Sequence, residues 1–282
     1  MADTLVLGAV AYDAKVVTIW DGFTRWFAAH GFDFDYVLHS NYERQVEQHF
    51  AGAFDVAWNS PLAWLQAEAV ARARGRRVCA LAMRDTDQDL ASVVLVRAED
   101  AIHDLADLRG RTIGVGASDS PQATLIPLLH LAENGIEPGV DCAVRRFDVL
   151  VGKHGDHVGG EREAVLALLA GEVDAACLID GNLLAFSREG TLPAGRTRVL
   201  ATTARYDHCN FTALDDGESP KLRRFAELLL GMRYADPSAR PLMDLEGLKA
   251  WRPGRTSGYA LLGRACARFG SLAAFLARMR VA

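Results

Sequence analysis

The sequence predicts an α/β protein with two lobes, and three observations support this. Short apolar strands alternate with helical stretches from the start of the chain, beginning with T-L-V-L-G-A-V, F-D-Y-V-L-H and F-D-V-A-W. A second series of the same kind starts near Leu105. From Lys221 onward the chain is nearly all helical and needs a lobe to pack on. Alternating strands and helices are typical of a mostly parallel sheet covered by helices.

Local signals place the first helices. The first is expected from about Val16 to His30, where Gly31 stops it. Asn41 is a good N-cap for a helix over 42–51. The segment N-S-P-L-A-W joins the third strand to a helix that proline opens.

Composition excludes several classes of protein. The chain has 282 residues, of which 50% are hydrophobic, and a formal net charge of −5. This mild acidity gives no reason to expect a nucleic-acid partner. No apolar run is long enough for membrane insertion. Five scattered cysteines without a C-x-x-C pair favour a reducing compartment.

The first residues, M-A-D-T-L-V-L-G-A-V, read directly into a strand and lack the basic and long apolar regions of a signal peptide. We therefore expect a cytoplasmic protein, or a periplasmic one if a leader has been removed. Nothing in the sequence indicates a cofactor.

The stretch from Gly110 to Leu129 is the part of the sequence on which the prediction of an anion site depends. A strand over 112–115 is followed by a turn of small residues and a helix, for which Ser120 is a good N-cap and Pro121 a good first residue. Asp119 and Gln122 have the spacing of a capping box. Such a turn directs N–H groups and hydroxyls to one point at a helix N-terminus and can bind an anion. Helix capping alone explains the same residues.

Several phrases, in this order along nearly the whole chain, resemble the phosphonate/phosphate-type periplasmic solute-binding proteins of ABC importers. These phrases are Y-E-R-Q-V-E-Q-H-F-A-G-A-F-D-V-A-W-N-S-P-L-A-W, S-V-V-L-V-R-A-E-D-A-I, D-L-A-D-L-R-G-R-T-I-G-V-G-A-S-D-S, E-A-V-L-A-L-L-A-G-E-V-D-A-A and L-E-G-L-K-A-W-R-P-G-R.

The resemblance implies a type II periplasmic-binding-protein fold, with two lobes, a two-strand hinge and a ligand cleft between the lobes. Residues 1–94 plus 207–282 would form lobe I, and residues 95–206 would form lobe II. The hinge crossings are expected near 91–97 and near 199–211. The implied function is to bind a small, phosphonate-like oxyanion or zwitterion and to close the lobes on it. An ABC permease would be a partner if the protein is exported.

One departure from the family concerns the anion loop. Where the family usually carries S-T-S-G, this chain has S-D-S-P over 118–121. A carboxylate beside a phosphonate group is repulsive unless a cation or proton lies between them. Asp119 is therefore expected either to cap the helix or to accept a hydrogen bond from an amino group on a zwitterionic ligand.

Polar side chains that follow the predicted strands are the candidate ligand-binding residues, because ligands of open α/β sheets bind beyond the carboxyl ends of the strands. Turn chemistry is the alternative for each residue taken singly. Tyr12, Trp58 and Trp64 are candidates for aromatic walls. The ligand-binding candidates are Tyr12, Asn59, Ser60, Ser118, Asp119, Ser120, Gln122, His157, Asp180 and His208.

The same fold also serves cytosolic enzymes, so fold alone does not decide function. The alternative is a decarboxylase or lyase that uses acid–base or metal chemistry on a small carboxylated substrate. Its catalytic candidates are His157, Asp180 and Asp13. A cytosolic ligand-sensing module is a further possibility.

The glycine-rich loop V-G-K-H-G-D-H-V-G-G-E-R-E over 151–163 holds weak candidates for a metal site, namely His154, His157 and Glu161. Imidazole and carboxylate ligands suit zinc or iron. The spacing H-x-x-H in a loop matches no strong metal motif, so we expect no metal there. Solvated charges on a flexible loop, or an anion site at the helix start near Arg162, explain the same residues.

His208 and Cys209 are adjacent in the stretch Y-D-H-C-N. A Cys–His pair can form an activated nucleophile. If the stretch is an extended strand, however, neighbouring side chains point to opposite faces. We therefore expect that the two side chains do not meet and that His208 alone faces the cleft.

Overall fold

The computed structural model describes residues 4–156, 158–215, 217 and 219–279. The chain divides into two compact units. The first unit takes the described residues up to Gln88, then Asp207–Tyr259, then those from Leu272 onward. The second unit takes Asp89–Tyr206 and Ala260–Ser271.

The strands of the described residues belong to two sheets. They are β1 Leu5–Val10, β2 Phe34–His39, β3 Val56–Asn59, β4 Val78–Arg84, β5 Ser92–Arg97, β6 Thr112–Val115, β7 Ala143–Arg146, β8 Ala175–Ile179, β9 Thr197–Thr202, β10 Asn210–Leu214 and β11 Trp251–Pro253.

The helices of the described residues lie between and after these strands. They are α1 Lys15–Ala29, α2 Tyr42–Phe50, α3 Pro61–Ala73, α4 Ile126–Glu133, α5 Glu161–Leu169, α6 Asp180–Glu189, α7 Pro220–Gly231, α8 Arg240–Glu246, α9 Ala260–Phe269 and α10 Ser271–Met279. A π-helical turn over Pro121–Leu125 precedes α4 directly. The predicted cap of α2 is confirmed, since the Asn41 side chain accepts the Arg44 N–H at 2.7 Å.

Each unit contains one mixed sheet. The first sheet has the order β11-β4-β10-β3-β1-β2, in which β1 runs parallel to β2 and β3 while β10 and β11 pair antiparallel. The second has the order β7-β6-β8-β5-β9, in which β6 runs parallel to β7 and β8 while β5 is antiparallel to its neighbours. The prediction of mostly parallel sheets was therefore wrong. Parallel neighbours require a crossover connection between them, usually a helix. The chain enters β5 without such a crossover within its own unit, so this strand can pair antiparallel.

In the second sheet, the apolar residues of strand β5 contribute to buried hydrophobic clusters on both faces. Along β5, Val93 and Leu95 join one buried cluster, whereas Val94 and Val96 join the other. Successive strand residues point to opposite faces, so an unbroken apolar run is required where helices cover both sides. The α/β prediction is confirmed in this respect.

The division of the chain differs from the predicted lobe boundaries in two places, because residues 89–94 and 260–271 belong to the second unit. Strand β5 pairs with β8 and β9 along its whole length, so the expected hinge crossing at 91–97 lies inside the second sheet. Helix α9 packs on α4, where Arg264 pairs with Glu133 at 3.2 Å.

Within the described residues no single helix is long and apolar enough to cross a membrane. One bent helix pair, Ser257–Phe269 with Ser271–Met279, is long and apolar enough only when its two helices are taken together.

Candidate functional site

In the second unit, the carboxyl ends of three parallel strands meet at one edge of the sheet, because β6 lies between β7 and β8. Three segments begin there: residues 116–120 after β6, which we call the anion turn; residues 147–160 after β7, which we call the covering loop; and helix α6 after β8. Sheets of this kind bind ligands at such an edge.

The covering loop accepts two backbone N–H groups of the anion turn. The Ala117 N–H donates to the Gly159 carbonyl at 2.8 Å. The Ser118 N–H donates to the Asp148 carboxylate, also at 2.8 Å, and both residues are exposed. One donor of the turn therefore already holds an anionic oxygen from the chain itself.

Ser120 caps the following helix from a fully buried position. Its Oγ accepts the Ala123 N–H at 3.2 Å, and its side chain packs against Gly155. The Ser120 carbonyl accepts the N–H groups of both Thr124 and Leu125, which gives the first turn its π-helical character. The predicted N-cap is confirmed, but the burial of Ser120 leaves its side chain facing protein.

Gln122 and Asp119 do not form the predicted capping box, because both side chains bind the covering loop. Gln122 Nε2 donates to the Gly155 carbonyl at 2.6 Å. Asp119 Oδ2 accepts the Gly152 N–H at 2.6 Å. The second carboxylate oxygen of Asp119 is buried and has no hydrogen bond to any described residue.

The weak metal candidates lie in the covering loop and at the start of α5. His154 is buried, with a ring nitrogen within 4.8 Å of an Asp119 carboxylate oxygen. Glu161 is also buried, and its Oε2 accepts the Ile179 N–H at 3.1 Å and the Asn182 amide at 2.8 Å. Its carboxylate thus holds the end of β8. His157 lies outside the described residues, so the expectation that these three residues hold no metal stays a prediction.

The other ligand-binding candidates of the second unit are Asp180 and Ser118. Asp180 is half-buried, and its Oδ1 accepts the Gly181 N–H at 2.8 Å. Ser118 is exposed. Whether either side chain contacts a ligand remains a prediction.

Asn59 belongs to a buried polar network of the first unit. Its Oδ1 accepts from Gln45 at 2.8 Å, and its Nδ2 donates to Thr212 at 2.9 Å. Thr212 donates to Asn210 at 2.6 Å, and Asn210 donates to the Tyr259 hydroxyl at 2.7 Å. Buried amides need such partners, so the network gives Asn59 a structural role.

The remaining polar candidates of the first unit lie at helix starts. Ser60 is fully buried, and its Oγ accepts the Ala63 N–H at 3.1 Å. Asp13 is exposed and its Oδ1 accepts the Lys15 N–H at 2.8 Å. Tyr12 is half-buried against the apolar core. Capping explains Ser60 and a local turn hydrogen bond explains Asp13, and a further role in binding or catalysis stays a prediction.

Trp58 and Trp64 are core residues rather than exposed walls. Trp58 packs between Phe211 and Trp251, with a centroid distance of 4.6 Å to Phe211. Trp64 stacks on Tyr259 at 5.6 Å. Both indoles are buried: Trp58 lies within the apolar strand β3, and Trp64 lies in helix α3, which follows that strand.

The prediction that His208 and Cys209 do not meet was wrong. His208 Nδ1 lies 3.1 Å from Cys209 Sγ. Both residues precede β10, in irregular backbone to which the alternation of a strand does not apply. Asp87 Oδ1 lies 3.6 Å from the same nitrogen.

Asp87 is also the centre of a buried ion cluster. Arg84 donates to both its carboxylate oxygens, at 2.5 and 2.9 Å, and to Glu246 Oε2 at 3.0 Å. Burial raises the pKa of Asp87, but attraction to Arg84 and the proximity of His208 outweigh it and lower the pKa to about 2. Burial also raises the pKa of Glu246, which Arg84 only partly offsets.

The sequence analysis missed Asp148 and the pair Ser92–Tyr206. Ser92 Oγ lies 2.8 Å from the Tyr206 hydroxyl and donates to the Gln122 carbonyl at 2.5 Å, which anchors the π-helical turn after the anion turn to β5. Burial raises the pKa of Tyr206 well above its usual value. No local motif marks these residues, although Asp148 follows a strand and therefore met the criterion applied to the other candidates.

The fold is shared with binding proteins of known structure. PhnD1 from Prochlorococcus marinus MIT 9301, in complex with methylphosphonate, aligns with 96% of this chain and 99% of its own, at 16% identity and a TM-score of 0.68. XAC2383 from Xanthomonas citri, bound to ATP, covers 98% of each chain at 19% identity and a TM-score of 0.67. A binding-protein component of an ABC phosphonate transporter from Pseudomonas aeruginosa covers 98% of this chain and 97% of its own, at 13% identity and a TM-score of 0.63.

Family membership follows from the sequence itself. Residues 9–259 match the family described as "ABC transporter, phosphonate, periplasmic substrate-binding protein". The expected cytoplasmic location is not supported by this family, whereas the periplasmic alternative fits its description. The resemblance found in the sequence is confirmed, and this chain belongs to the phosphonate-type periplasmic substrate-binding protein family of ABC transporters.

Proposed function

We propose that this chain is the solute-binding component of an ABC importer and that its anion turn receives an oxyanion group of the solute. The observation that carries the proposal is the 2.8 Å hydrogen bond from the Ser118 N–H to the Asp148 carboxylate. A backbone donor that already holds an anionic oxygen has the chemistry required to hold a phosphonate, phosphate or carboxylate oxygen.

The solute would take the place of Asp148 at this donor. Asp148 is exposed, so water can solvate its carboxylate when a ligand oxygen displaces it. The donors of Ala117 and Ser120 are satisfied by backbone carbonyls. Exchange at Ser118 therefore requires no rearrangement of those neighbouring donors.

Asp119 adds a second element of selectivity to the proposal. One of its oxygens is held by Gly152, while the other is buried without a hydrogen bond from any described residue. A buried carboxylate oxygen favours a ligand that brings a donor. An aminoalkylphosphonate, which carries both an anionic and an amino group, satisfies the turn and Asp119 together.

The related structures point to the same class of ligand. Methylphosphonate, ATP and chloride are bound in the proteins from Prochlorococcus marinus and Xanthomonas citri. All three are anions, so anionic solutes are the first class to test. An ABC permease as the partner and the periplasm as the location belong to this proposal, and closure of the lobes on the solute stays a prediction.

The test is a binding screen on protein that has been unfolded, dialysed and refolded to remove any copurified solute. Methylphosphonate, an aminoalkylphosphonate, phosphate and sulfate are compared with uncharged and cationic analogues by thermal shift and calorimetry. We expect saturable binding of one or more anions and none of the analogues. Binding of the uncharged analogues alone, or of no anion by folded protein, would overturn the proposal.

A further inference from the structure

His208, Cys209 and Asp87 bring three different metal-ligating atoms together in the first unit. His208 Nδ1 lies 3.1 Å from Cys209 Sγ and 3.6 Å from Asp87 Oδ1, and all three atoms are within 4.8 Å of one another. Atoms bound to a common metal ion at 2.0–2.3 Å lie at about such separations. All three residues are at most 9% exposed.

The arrangement does not suit a catalytic relay. A Cys–His–Asp relay uses one ring nitrogen for the thiol and the other for the carboxylate. Here the same nitrogen, Nδ1, is the atom nearest to both partners. A cation requires ligand atoms with lone pairs that converge on one point, as these three atoms do.

The backbone around the three residues is held in place from several directions. The His208 N–H donates to the Asp87 carbonyl at 2.8 Å, and the His208 carbonyl accepts from the Tyr259 hydroxyl, also at 2.8 Å. Asp207, the preceding residue, binds Arg255 through both carboxylate oxygens at 2.6 Å. The ligand atoms are thus positioned before any ion arrives, which lowers the cost of binding it.

The charges of the surrounding cluster favour a divalent ion. Arg84 carries one positive charge, whereas Asp87 and Glu246 carry two negative charges, so the ionised cluster has a deficit of one positive charge. Lys15 acts on Glu246 only as a minor, longer-range influence. A divalent ion adds two positive charges, the Cys209 thiolate adds one negative charge, and a neutral imidazole adds none. The net charge of the buried cluster is then zero, which is the arrangement that burial favours.

We propose that Cys209, His208 and Asp87 form a binding site for a borderline divalent transition metal, with Zn²⁺ as the first candidate. Sulfur and nitrogen ligands exclude Mg²⁺ and Ca²⁺, which prefer oxygen, and three protein ligands leave a fourth position of a tetrahedral ion open. Arg84 donates to both oxygens of Asp87 and thereby positions the carboxylate, as outer partners of metal ligands commonly do. The site is independent of the anion turn and of the solute proposed above.

The test uses the full chain, freed of metal with a chelator and titrated with Zn²⁺ alone. Equilibrium dialysis with elemental analysis should give one equivalent bound per chain, and Co²⁺ in its place should produce a thiolate-to-metal charge-transfer absorption. Cys209→Ser and His208→Gln should each weaken Zn²⁺ binding by at least about 100-fold, since even outer partners of metal ligands are worth about 10–100-fold.

Two matched variants separate this site from adventitious binding. Cys79→Ser removes a partly buried thiol of the same unit, and His30→Gln removes an exposed imidazole. Both should bind Zn²⁺ like the wild type. Absence of binding by the wild type, or undiminished binding by Cys209→Ser, overturns the proposal. If Cys209→Ser fails to fold, a Co²⁺ spectrum of the wild type without the charge-transfer absorption overturns it equally.

Discussion

The Asp148 carboxylate accepts the backbone N–H of Ser118 at 2.8 Å, across 30 residues of sequence. The chain thereby places an anion of its own at the turn where its family resemblance predicts the ligand anion. If the turn receives the oxyanion group of the solute as proposed, the ligand must compete with this carboxylate, and Asp148 then lowers the affinity of the turn for oxyanions.

Replacing Asp148 by alanine should strengthen oxyanion binding, because the competing acceptor and its like charge both disappear. We expect an increase of about 2–5-fold in affinity, the size of an exposed charge interaction. Calorimetry with the anion identified in the binding screen measures this change. Glu99→Gln removes another exposed acid of the same unit and should leave affinity unchanged. A loss of affinity in Asp148→Ala would show that the carboxylate helps to hold the ligand.

Asp119→Asn tests whether the buried carboxylate oxygen selects an amino group. The variant should bind aminoalkylphosphonate more weakly and simple phosphonate more tightly, because a neutral amide no longer attracts a cation or repels an anion. The ratio of the two affinities is the measurement. An unchanged ratio would mean that Asp119 serves only to hold Gly152, which it contacts at 2.6 Å.

Asp87→Asn should lower the free energy of unfolding by about 3–5 kcal/mol, since it leaves the buried Arg84 with an incomplete set of anionic partners. The control is Asp215→Asn, which removes a similar bidentate pair with Arg76, at 2.8 and 3.1 Å, on the surface. This control should cost less than about 1 kcal/mol. Urea unfolding compares the two, and equal costs would contradict the importance of burial for the Arg84 cluster.

The lowered pKa of Asp87 also predicts a dependence of stability on pH. Its pKa of about 2 lies below the usual 3.8, so ionisation favours the folded state. This contribution, about 2 kcal/mol, is complete above pH 3.8 and disappears as the pH falls towards 2. The difference in unfolding free energy between wild type and Asp87→Asn should therefore shrink over that range. A difference that stays constant with pH would contradict the assignment.

Gly160→Ala tests how the covering loop meets helix α5. Gly160 has φ +89°, and a Cβ there would overlap the Phe147 carbonyl. Gly190 has the same φ of +89° but open space around it, so Gly190→Ala reports the backbone strain alone. We expect Gly160→Ala to cost about 1–3 kcal/mol more, the usual penalty of overpacking. Equal thermal midpoints in the two variants would show that the covering loop shifts to accommodate the added Cβ at little cost in stability.

Much of the fold was accessible from local sequence signals. The strand over 112–115 and the caps Asn41 and Ser120 lie where they were predicted, because each depends on a few adjacent residues. Strand direction was not accessible, since pairing of β5 between β8 and β9 depends on segments about 80–100 residues away. Hydrophobic alternation is the same for parallel and antiparallel neighbours.

By itself, the sequence determined the α/β class, the family resemblance and the presence of a polar turn before α4. Only the tertiary structure decided what that turn contacts, because Asp148, Gly155 and Gly159 reach it from the covering loop. It likewise decided that His208 meets Cys209 and Asp87, through irregular backbone that no periodicity describes. Side-chain partners distant in sequence are chosen by packing, and packing is a property of the folded chain.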